Sequence, residues 1–228
     1  MAAKKSGKEI PGAQSGPVKG KRGEKKKTRL SPPNIIAVGA SAGGLEALQG
    51  FLSHLPVLQN ACILIAQHLS PTHKSMLVQL LSRETRLQVK EAEQGTKLEA
   101  DNIYITPPDT DISIQNNSIN LIKPKAAGGP KPSVDVLFGS LAAIRNRKIA
   151  GIILSGTGSD GATGVRLLKE SKGYILVQDP ETAKYDGMPL ASIHTGMVDE
   201  VLAPQQMGEA IGNYLSGTAK TRQKNTIE

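Results

Sequence analysis

A serine stands at the centre of a glycine-rich segment that follows the first apolar run of the chain. Residues 39–44 read Gly-Ala-Ser-Ala-Gly-Gly, and leucines at helical spacing come directly after them. Ser41 therefore lies on a sharp turn from a strand into a helix, where a hydroxyl is exposed at the edge of a sheet. The free N–H groups of the helix start can stabilise a developing oxyanion. This pattern makes Ser41 a candidate nucleophile.

Other interpretations of this loop stay open on its residues alone. A glycine loop before a helix also cradles phosphate, and a serine in such a turn also caps the helix. Dinucleotide binding is disfavoured, because Ser41 occupies the position where a pyrophosphate needs the middle glycine of G-x-G-x-x-G. The ribose-binding acid expected about 20 residues further on is also missing, and His68 stands in its place.

A histidine directly follows the second apolar run. Parallel strands end at the same edge of a sheet, so His68 is predicted to lie beside Ser41 as a general base. His194 is the competing base, although its position near the end of a helix is equally typical of a surface residue. His54 and His73 are predicted to be exposed helix residues.

An aspartate lies in a second glycine-rich segment, which reads Leu-Ser-Gly-Thr-Gly-Ser-Asp-Gly-Ala over residues 154–162. This segment again follows an apolar run and precedes a helix. Asp160 is a candidate for the acid that orients a histidine and stabilises its imidazolium. The alternative is a cap for the helix that follows it. The glycines favour a loop whose backbone lies close to a ligand.

The order of the apolar segments indicates an α/β fold. Four runs are continuous rather than alternating, which is typical of parallel strands covered on both faces. They are residues 35–38, 61–66, 149–154 and 174–177. Amphipathic helices between them predict a doubly wound, mainly parallel sheet with helices on both faces. Residues 102–122 are predicted to form a small antiparallel excursion, with a β-hairpin that turns at Asn116 and Asn117.

The basic charge of the chain is concentrated at its start. The formal net charge is +8, and residues 1–30 hold ten Lys or Arg against two Glu, so the remainder balances 18 basic against 18 acidic residues. This composition predicts a disordered basic tail over residues 1–30 and a polar tail over residues 217–228. No nucleic-acid binding is expected, because the body is neutral and only 3% of residues are aromatic.

The remaining composition predicts a cytoplasmic protein without membrane insertion. Cys62 is the only cysteine, which excludes an intramolecular disulfide and a thiolate metal cluster. No apolar run approaches the ~20 residues that span a bilayer. The start of the chain also lacks the apolar segment of a secretory signal. The histidine spacing indicates no metal site.

Six segments, taken in order, resemble the catalytic domain of the chemotaxis protein-glutamate methylesterases, the CheB family. They are IIAVGASAGG, ILIAQH, PSVDVLF, ILSGTGSDGATG, QDPETAKYDGMP and TGMVDEVL. The resemblance implies a triad with Ser41 as nucleophile, His68 as general base and Asp160 as orienting acid. It also implies that the backbone N–H groups of Ala42 and Thr157 bind the oxyanion.

The resemblance implies hydrolysis of γ-glutamyl methyl esters on the cytoplasmic helices of methyl-accepting chemoreceptors, with release of methanol. It also implies deamidation of particular receptor glutamines, and it implies no cofactor. The catalytic domain is expected to cover residues 31–216. The alternative is a catalytically degenerate methylesterase-like domain that serves as a docking module in a chemosensory array.

The chain departs from the family pattern at several points. Thirty residues of basic tail cannot form the phosphoacceptor receiver domain that two-domain members carry. Ala42 stands where many members have Thr, and Thr157 stands where the family often has Met. The tail and the KYDGMP segment resemble the esterase unit of esterase–methyltransferase fusion proteins, which implies a methyltransferase partner or fused domain.

Overall fold

The computed structural model describes residues 1–3, 31–68, 76–123 and 131–218. The chain divides into two units, residues 1–31 and 32–228, and the fold below is that of the second unit. Almost all of the predicted basic tail and most of the predicted C-terminal tail lie outside the described residues. Both tails therefore stay predictions.

Seven parallel strands form the main sheet, and two further strands form a separate antiparallel hairpin. In chain order the strands are β1 (Asn34–Ala40), β2 (Ala61–Gln67), β3 (Gln88–Glu91), β4 (Asn102–Ile105), β5 (Asp111–Gln115), β6 (Ser118–Ile122), β7 (Ile149–Ile153), β8 (Tyr174–Gln178) and β9 (Glu200–Leu202). The spatial order of the main sheet is β3-β4-β2-β1-β7-β8-β9. The first four strands of the chain thus lie on one side of the sheet and β7, β8 and β9 on the other side of β1, which confirms the predicted doubly wound topology.

Helices cover both faces of the sheet. They are α1 (Gly44–Ser53), α2 (Leu77–Leu81), α3 (Val134–Leu141), α4 (Ala162–Glu170), α5 (Gly187–Ile193) and α6 (Pro204–Ser216). Ile36 and Val38 of β1 pack in a core with α1, α2 and α6, whereas Ile35 and Ala37 pack in a second core with α3 and α4. Alternate residues of a strand point to opposite faces, so both faces of a central strand must be apolar. This explains the continuous apolar runs.

The antiparallel excursion is shorter than predicted. The hairpin of β5 and β6 turns at Asn116 and Asn117, whose φ angles are 50° and 63°. The prediction was wrong for residues 102–105, because they form β4, a parallel strand of the main sheet. Asn102 is buried there, and its amide donates to the carbonyl of Ala100 at 2.7 Å. This polar residue interrupts the apolar signal of a buried strand.

The only cysteine of the chain lies in the core of this unit. Cys62 is fully buried in β2, and burial raises the pKa of its thiol to about 12. Within the described ranges, no helix is both long enough and apolar enough to cross a membrane. In the same ranges, no group of three or more His, Cys, Asp or Glu side chains is arranged to hold a metal ion.

Candidate active site

The carboxyl ends of the central strands bring the candidate loops together. Ala40 of β1 pairs with Gln67 of β2, so Ser41 and His68 follow side by side. The N–H of His68 donates to the carbonyl of Ala40 at 2.9 Å, which extends the strand pairing by one residue. On the other side of β1, the N–H of Ser41 donates to the carbonyl of Ser155 at 2.9 Å. The first loop therefore lies between the other two.

The turn that carries Ser41 depends on a glycine in the left-handed region. Gly43 has φ of 73° and is the N-cap of α1. A Cβ at this position would lie 2.6 Å from the hydroxyl oxygen of Ser155, so a side chain has no space there. Because the N-cap is Gly43 and not Ser41, the interpretation of Ser41 as a helix cap is wrong. The half-buried Ser41 hydroxyl is not used to start the helix.

The His68 ring is paired with the Asp160 carboxylate. His68 Nε2 lies 2.8 Å from Asp160 Oδ2, and their side chains are only 9% and 10% exposed. An ionised carboxylate only accepts hydrogen bonds, so Nε2 carries the proton and Nδ1 has a free lone pair. Nδ1 is therefore the ring nitrogen that can accept a proton from a neighbouring hydroxyl.

Asp160 also caps the start of α3. Its carboxylate accepts hydrogen bonds from Val134 N at 2.7 Å, Asp135 N at 3.1 Å and Ser133 Oγ at 3.3 Å. Burial by itself would raise the pKa of Asp160, but the hydrogen bonds from His68 and these two backbone groups outweigh it and lower that pKa. Asp160 therefore contacts His68 and caps a helix, but that helix is α3 and not α4, for which the cap was predicted.

Strand pairing and the Gln67 side chain, rather than a hydrogen bond between their own side chains, hold Ser41 beside His68. Both residues lie in the described part of the chain, and no hydrogen bond joins the Ser41 hydroxyl to the His68 ring. Instead, Gln67 Nε2 donates to the carbonyl of Ser41 at 2.7 Å and to that of His68 at 3.2 Å. Catalytic hydrogen bonds are often long before substrate binds, so this geometry suits a hydroxyl that closes onto the ring later.

The backbone beside Ser41 offers free N–H groups. A Cβ on Gly156 would lie 2.8 Å from the Cβ of Ser41, so the loop that contains Thr157 lies against the loop that contains Ser41. Within the described ranges, neither the Ala42 amide nor the Thr157 amide donates a hydrogen bond to another residue. Free N–H groups of this kind can hold a developing oxyanion.

A buried serine of the second glycine loop binds both the first glycine loop and a third segment, which follows β8. Ser155 is 1% exposed, and its hydroxyl donates to the carbonyl of Ala42 at 2.8 Å and accepts from the N–H of Tyr185 at 3.0 Å. The carbonyl of Tyr185 accepts from the N–H of Gly156 at 2.9 Å. Ser155 therefore joins the loop of Asp160 directly to the loop of Ser41, and the segment of Tyr185 binds the Asp160 loop through Ser155 and Gly156.

A family model described as CheB methylesterase matches residues 36–211, which is more than half of the chain. The chain belongs to the CheB methylesterase family. The crystal structure of the Thermotoga maritima CheB methylesterase catalytic domain superposes with a TM-score of 0.74 and 31% sequence identity. It covers 80% of this chain and 98% of the Thermotoga chain. The resemblance found in the six sequence segments is thereby confirmed.

Curated relatives of this CheB-family chain carry one common name. A protein-glutamate methylesterase/protein-glutamine glutaminase of Photorhabdus laumondii is 38% identical over 180 residues, which are 77% of this chain and 51% of the relative. The protein-glutamate methylesterase/protein-glutamine glutaminase 2 of Pseudomonas aeruginosa is 34% identical over 186 residues, or 80% and 53% of the two chains. The chain spans about half the length of the curated relatives it matches.

The structure brings Ser41, His68 and Asp160 to one edge of the CheB-family sheet and leaves the competing histidine elsewhere. His194 is exposed at the C-terminal cap of α5, the surface position expected for it. His54 is likewise exposed at the end of α1. His73 lies outside the described residues.

Sequence reasoning missed the residues that support the site. Gln67, Ser133 and Asp135 all contact a candidate catalytic residue, yet none of them was singled out. A polar Gln67 at the end of an otherwise apolar strand was an available signal. The contacts of Ser133 and Asp135 with Asp160 join positions 25 to 27 residues apart, and only the packing of α3 against α4 creates them.

Proposed function

We propose that this chain is a serine-dependent protein-glutamate methylesterase. It hydrolyses γ-glutamyl methyl esters on the cytoplasmic helices of methyl-accepting chemoreceptors and deamidates receptor glutamines at the same site. The observation that carries this proposal is the buried His68–Asp160 pair at 2.8 Å, beside Ser41 at the carboxyl edge of the sheet. Family membership and the name shared by the curated relatives support it.

The first half of the proposed reaction forms an acyl-enzyme. Ser41 Oγ attacks the ester carbonyl carbon while His68 Nδ1 takes the hydroxyl proton. Asp160, whose pKa is lowered, remains ionised and stabilises the imidazolium. The N–H groups of Ala42 and Thr157 stabilise the oxyanion. The intermediate collapses, the C–O bond to the methyl group's oxygen breaks, and methanol leaves with the proton from His68.

The second half restores the enzyme. Water attacks the γ-glutamyl ester of Ser41 and gives its proton to His68, and the serine oxygen leaves and recovers that proton. The products are a glutamate carboxyl group and free Ser41. With a glutamine substrate, ammonia leaves in place of methanol and the remaining steps are the same. The side chains and amides named here supply every group in this scheme, so no cofactor is required.

We assign the catalytic domain to residues 31–216, which contain the whole family match over residues 36–211. A methyltransferase partner or fused domain is proposed from the resemblance of the tail and the KYDGMP segment to fusion proteins. A cytoplasmic location is proposed because the receptor helices that would be substrates lie there, and the buried free Cys62 agrees with a reducing compartment.

Methanol release from a methylated receptor fragment tests the proposed function. The purified chain is expected to release methanol and to be labelled on Ser41 by a fluorophosphonate probe. Ser41→Ala should lower the rate on the order of 10⁶-fold and abolish labelling, because the nucleophile is lost. A chain that binds the fragment but neither releases methanol nor takes the label is a docking module instead, and the proposal is then wrong.

A further inference from the structure

The helices α3 and α4 begin side by side, and each is capped by a carboxylate from the start of the other. Asp160, just before α4, binds the N–H groups of Val134 and Asp135 at the start of α3. In return, Asp135 Oδ1 accepts from the N–H of Gly161 at 3.0 Å and from that of Gly164 at 2.7 Å. The candidate catalytic acid therefore belongs to a reciprocal pair of caps.

The two helix starts are packed too closely for the pair to shift freely. A Cβ on Gly164 would lie 2.6 Å from the Cβ of Phe138 and 3.2 Å from the Cα of Asp135. Gly161 has φ of 100°, and a Cβ there would lie 2.6 Å from Ile153. The backbone just after Asp160 is thus held between β7 and α3, and the Asp135 carboxylate supplies its hydrogen bonds.

We propose that Asp135 is a positioning residue, which holds the loop of Asp160 and Thr157 in register with His68. The proposal rests on the proposed function and deepens it. Asp135 acts through two backbone N–H groups and through Asp160, without taking part in proton transfer. Its loss leaves the N–H groups of Gly161 and Gly164 without their acceptor, and the loop can then move away from the His68 ring.

The negative charge of Asp135 is unfavourable at this position, and its acceptor oxygen is what the arrangement uses. Burial raises the pKa of Asp135, the N–H of Gly164 lowers it, and the nearby Asp160 carboxylate raises it again, with a net rise. An Asn side chain offers the same acceptor oxygen without this repulsion. The geometry therefore points to hydrogen bonding as the function of Asp135, and Asn should replace it.

Three variants at this position separate geometry from charge. Asp135→Ala should lower kcat about 10- to 100-fold with little change in KM, since a shift of ~1 Å at a catalytic group has such effects. Asp135→Asn should stay within about threefold of wild type, because the acceptor oxygen is retained. Asp135→Glu keeps the charge but moves the acceptor by one methylene, so it should lose more activity than Asp135→Asn.

The matched control is Asp199→Ala, which removes another structural carboxylate. Asp199 accepts from the N–H of Ile175 at 2.8 Å and pairs with Lys169 at 2.5 Å, away from the site loops. Its loss should lower the melting temperature but leave kcat unchanged well below that temperature. A second readout is the proton resonance of the His68 Nε2–H. It should broaden or vanish in Asp135→Ala and persist in Asp199→Ala.

The outcomes separate the two proposals. If Asp135→Ala matches the control in kcat and keeps the His68 proton resonance, Asp135 is not a positioning residue. The same conclusion follows if Asp135→Asn is as impaired as Asp135→Glu. If wild type itself releases no methanol and takes no fluorophosphonate label, the proposed function fails, whereas the resonance still reports whether Asp135 orders the His68–Asp160 pair. Should Asp135→Ala not fold, the order of the Asn and Glu variants decides.

Discussion

The two sides of the His68 ring are built differently. On the acid side, the Asp160 carboxylate accepts from four donors, which are His68 Nε2, Val134 N, Asp135 N and Ser133 Oγ. On the nucleophile side, the described residues show no hydrogen bond between the ring and the Ser41 hydroxyl. That side is held by strand pairing and by the Gln67 amide, which binds the carbonyls of both residues.

This difference follows from charge. A carboxylate that is 10% exposed must be hydrogen-bonded in the resting protein, because an unpaired buried charge costs several kcal/mol. The Ser41 hydroxyl is neutral and only half-buried, so it has no such requirement. In the proposed mechanism, the acid side is therefore preorganised without substrate, whereas the nucleophile side needs only a correct backbone position from which the hydroxyl closes.

Among the variants that test this comparison, the largest effect is expected from the ring that joins the two sides. His68→Ala leaves Ser41 without a proton acceptor, and the loss of kcat/KM should be on the order of 10³-fold or more. His194→Ala, the matched control, should stay near wild type because His194 is exposed at the end of α5. Both are assayed on one methylated receptor fragment, with folding checked by circular dichroism. If His194→Ala is inactive while His68→Ala remains near wild type, His194 and not His68 is the general base.

A smaller effect is expected when only the hydrogen bonds on the nucleophile side are removed. Gln67→Met keeps the approximate shape but removes the amide that binds the Ser41 and His68 carbonyls, so kcat should fall about tenfold. Stability should change little, because Met also removes Gln67 Oε1, a buried oxygen without a partner among the described residues. The control is Gln49→Met, which removes the hydrogen bond that Gln49 of α1 donates to Glu84. Equal kcat in both variants would contradict the role of Gln67.

The smallest expected effect is on the free energy of unfolding, and it depends on pH. Hydrogen bonds depress the pKa of folded Asp160 below its unfolded value of about 3.9. Its ionised form therefore stabilises the fold above that pH, and this contribution is lost as pH falls through the lower folded pKa. Asp160→Asn should be less stable than wild type at pH ~7 by about 1–3 kcal/mol. The difference should shrink in acid.

Urea unfolding at several pH values measures this difference. Glu209→Gln on α6 replaces an exposed carboxyl and should leave the free energy of unfolding within about 0.5 kcal/mol at each pH. If the deficit of Asp160→Asn stays constant from neutral pH into strong acid, the Asp160 carboxylate is not held in its ionised form. The acid side, like the nucleophile side, would then not be preorganised by hydrogen bonds in the resting protein.

The sequence was most informative where the residues of a single segment indicate whether that segment is buried or forms a turn. Continuous apolar runs predicted the central strands, and the glycine-rich turns after them predicted the loops of Ser41 and Asp160. Prediction failed for residues 102–105, because the polar but buried Asn102 makes the segment look like the alternating pattern of a surface strand. It also missed β3 and β9, which are edge strands of four and three residues with little apolar signal.

Sequence by itself determined that Ser41, His68 and Asp160 share one edge of the sheet, because each follows a buried strand and parallel strands end together. Only the tertiary structure decided which atoms meet. Asp160 faces His68 Nε2 because α3 offers its free N–H groups to the carboxylate, and Asp135 binds the start of α4 in return. A helix start leaves its first N–H groups without partners in its own sequence, so the residue that satisfies them is chosen by packing between distant segments.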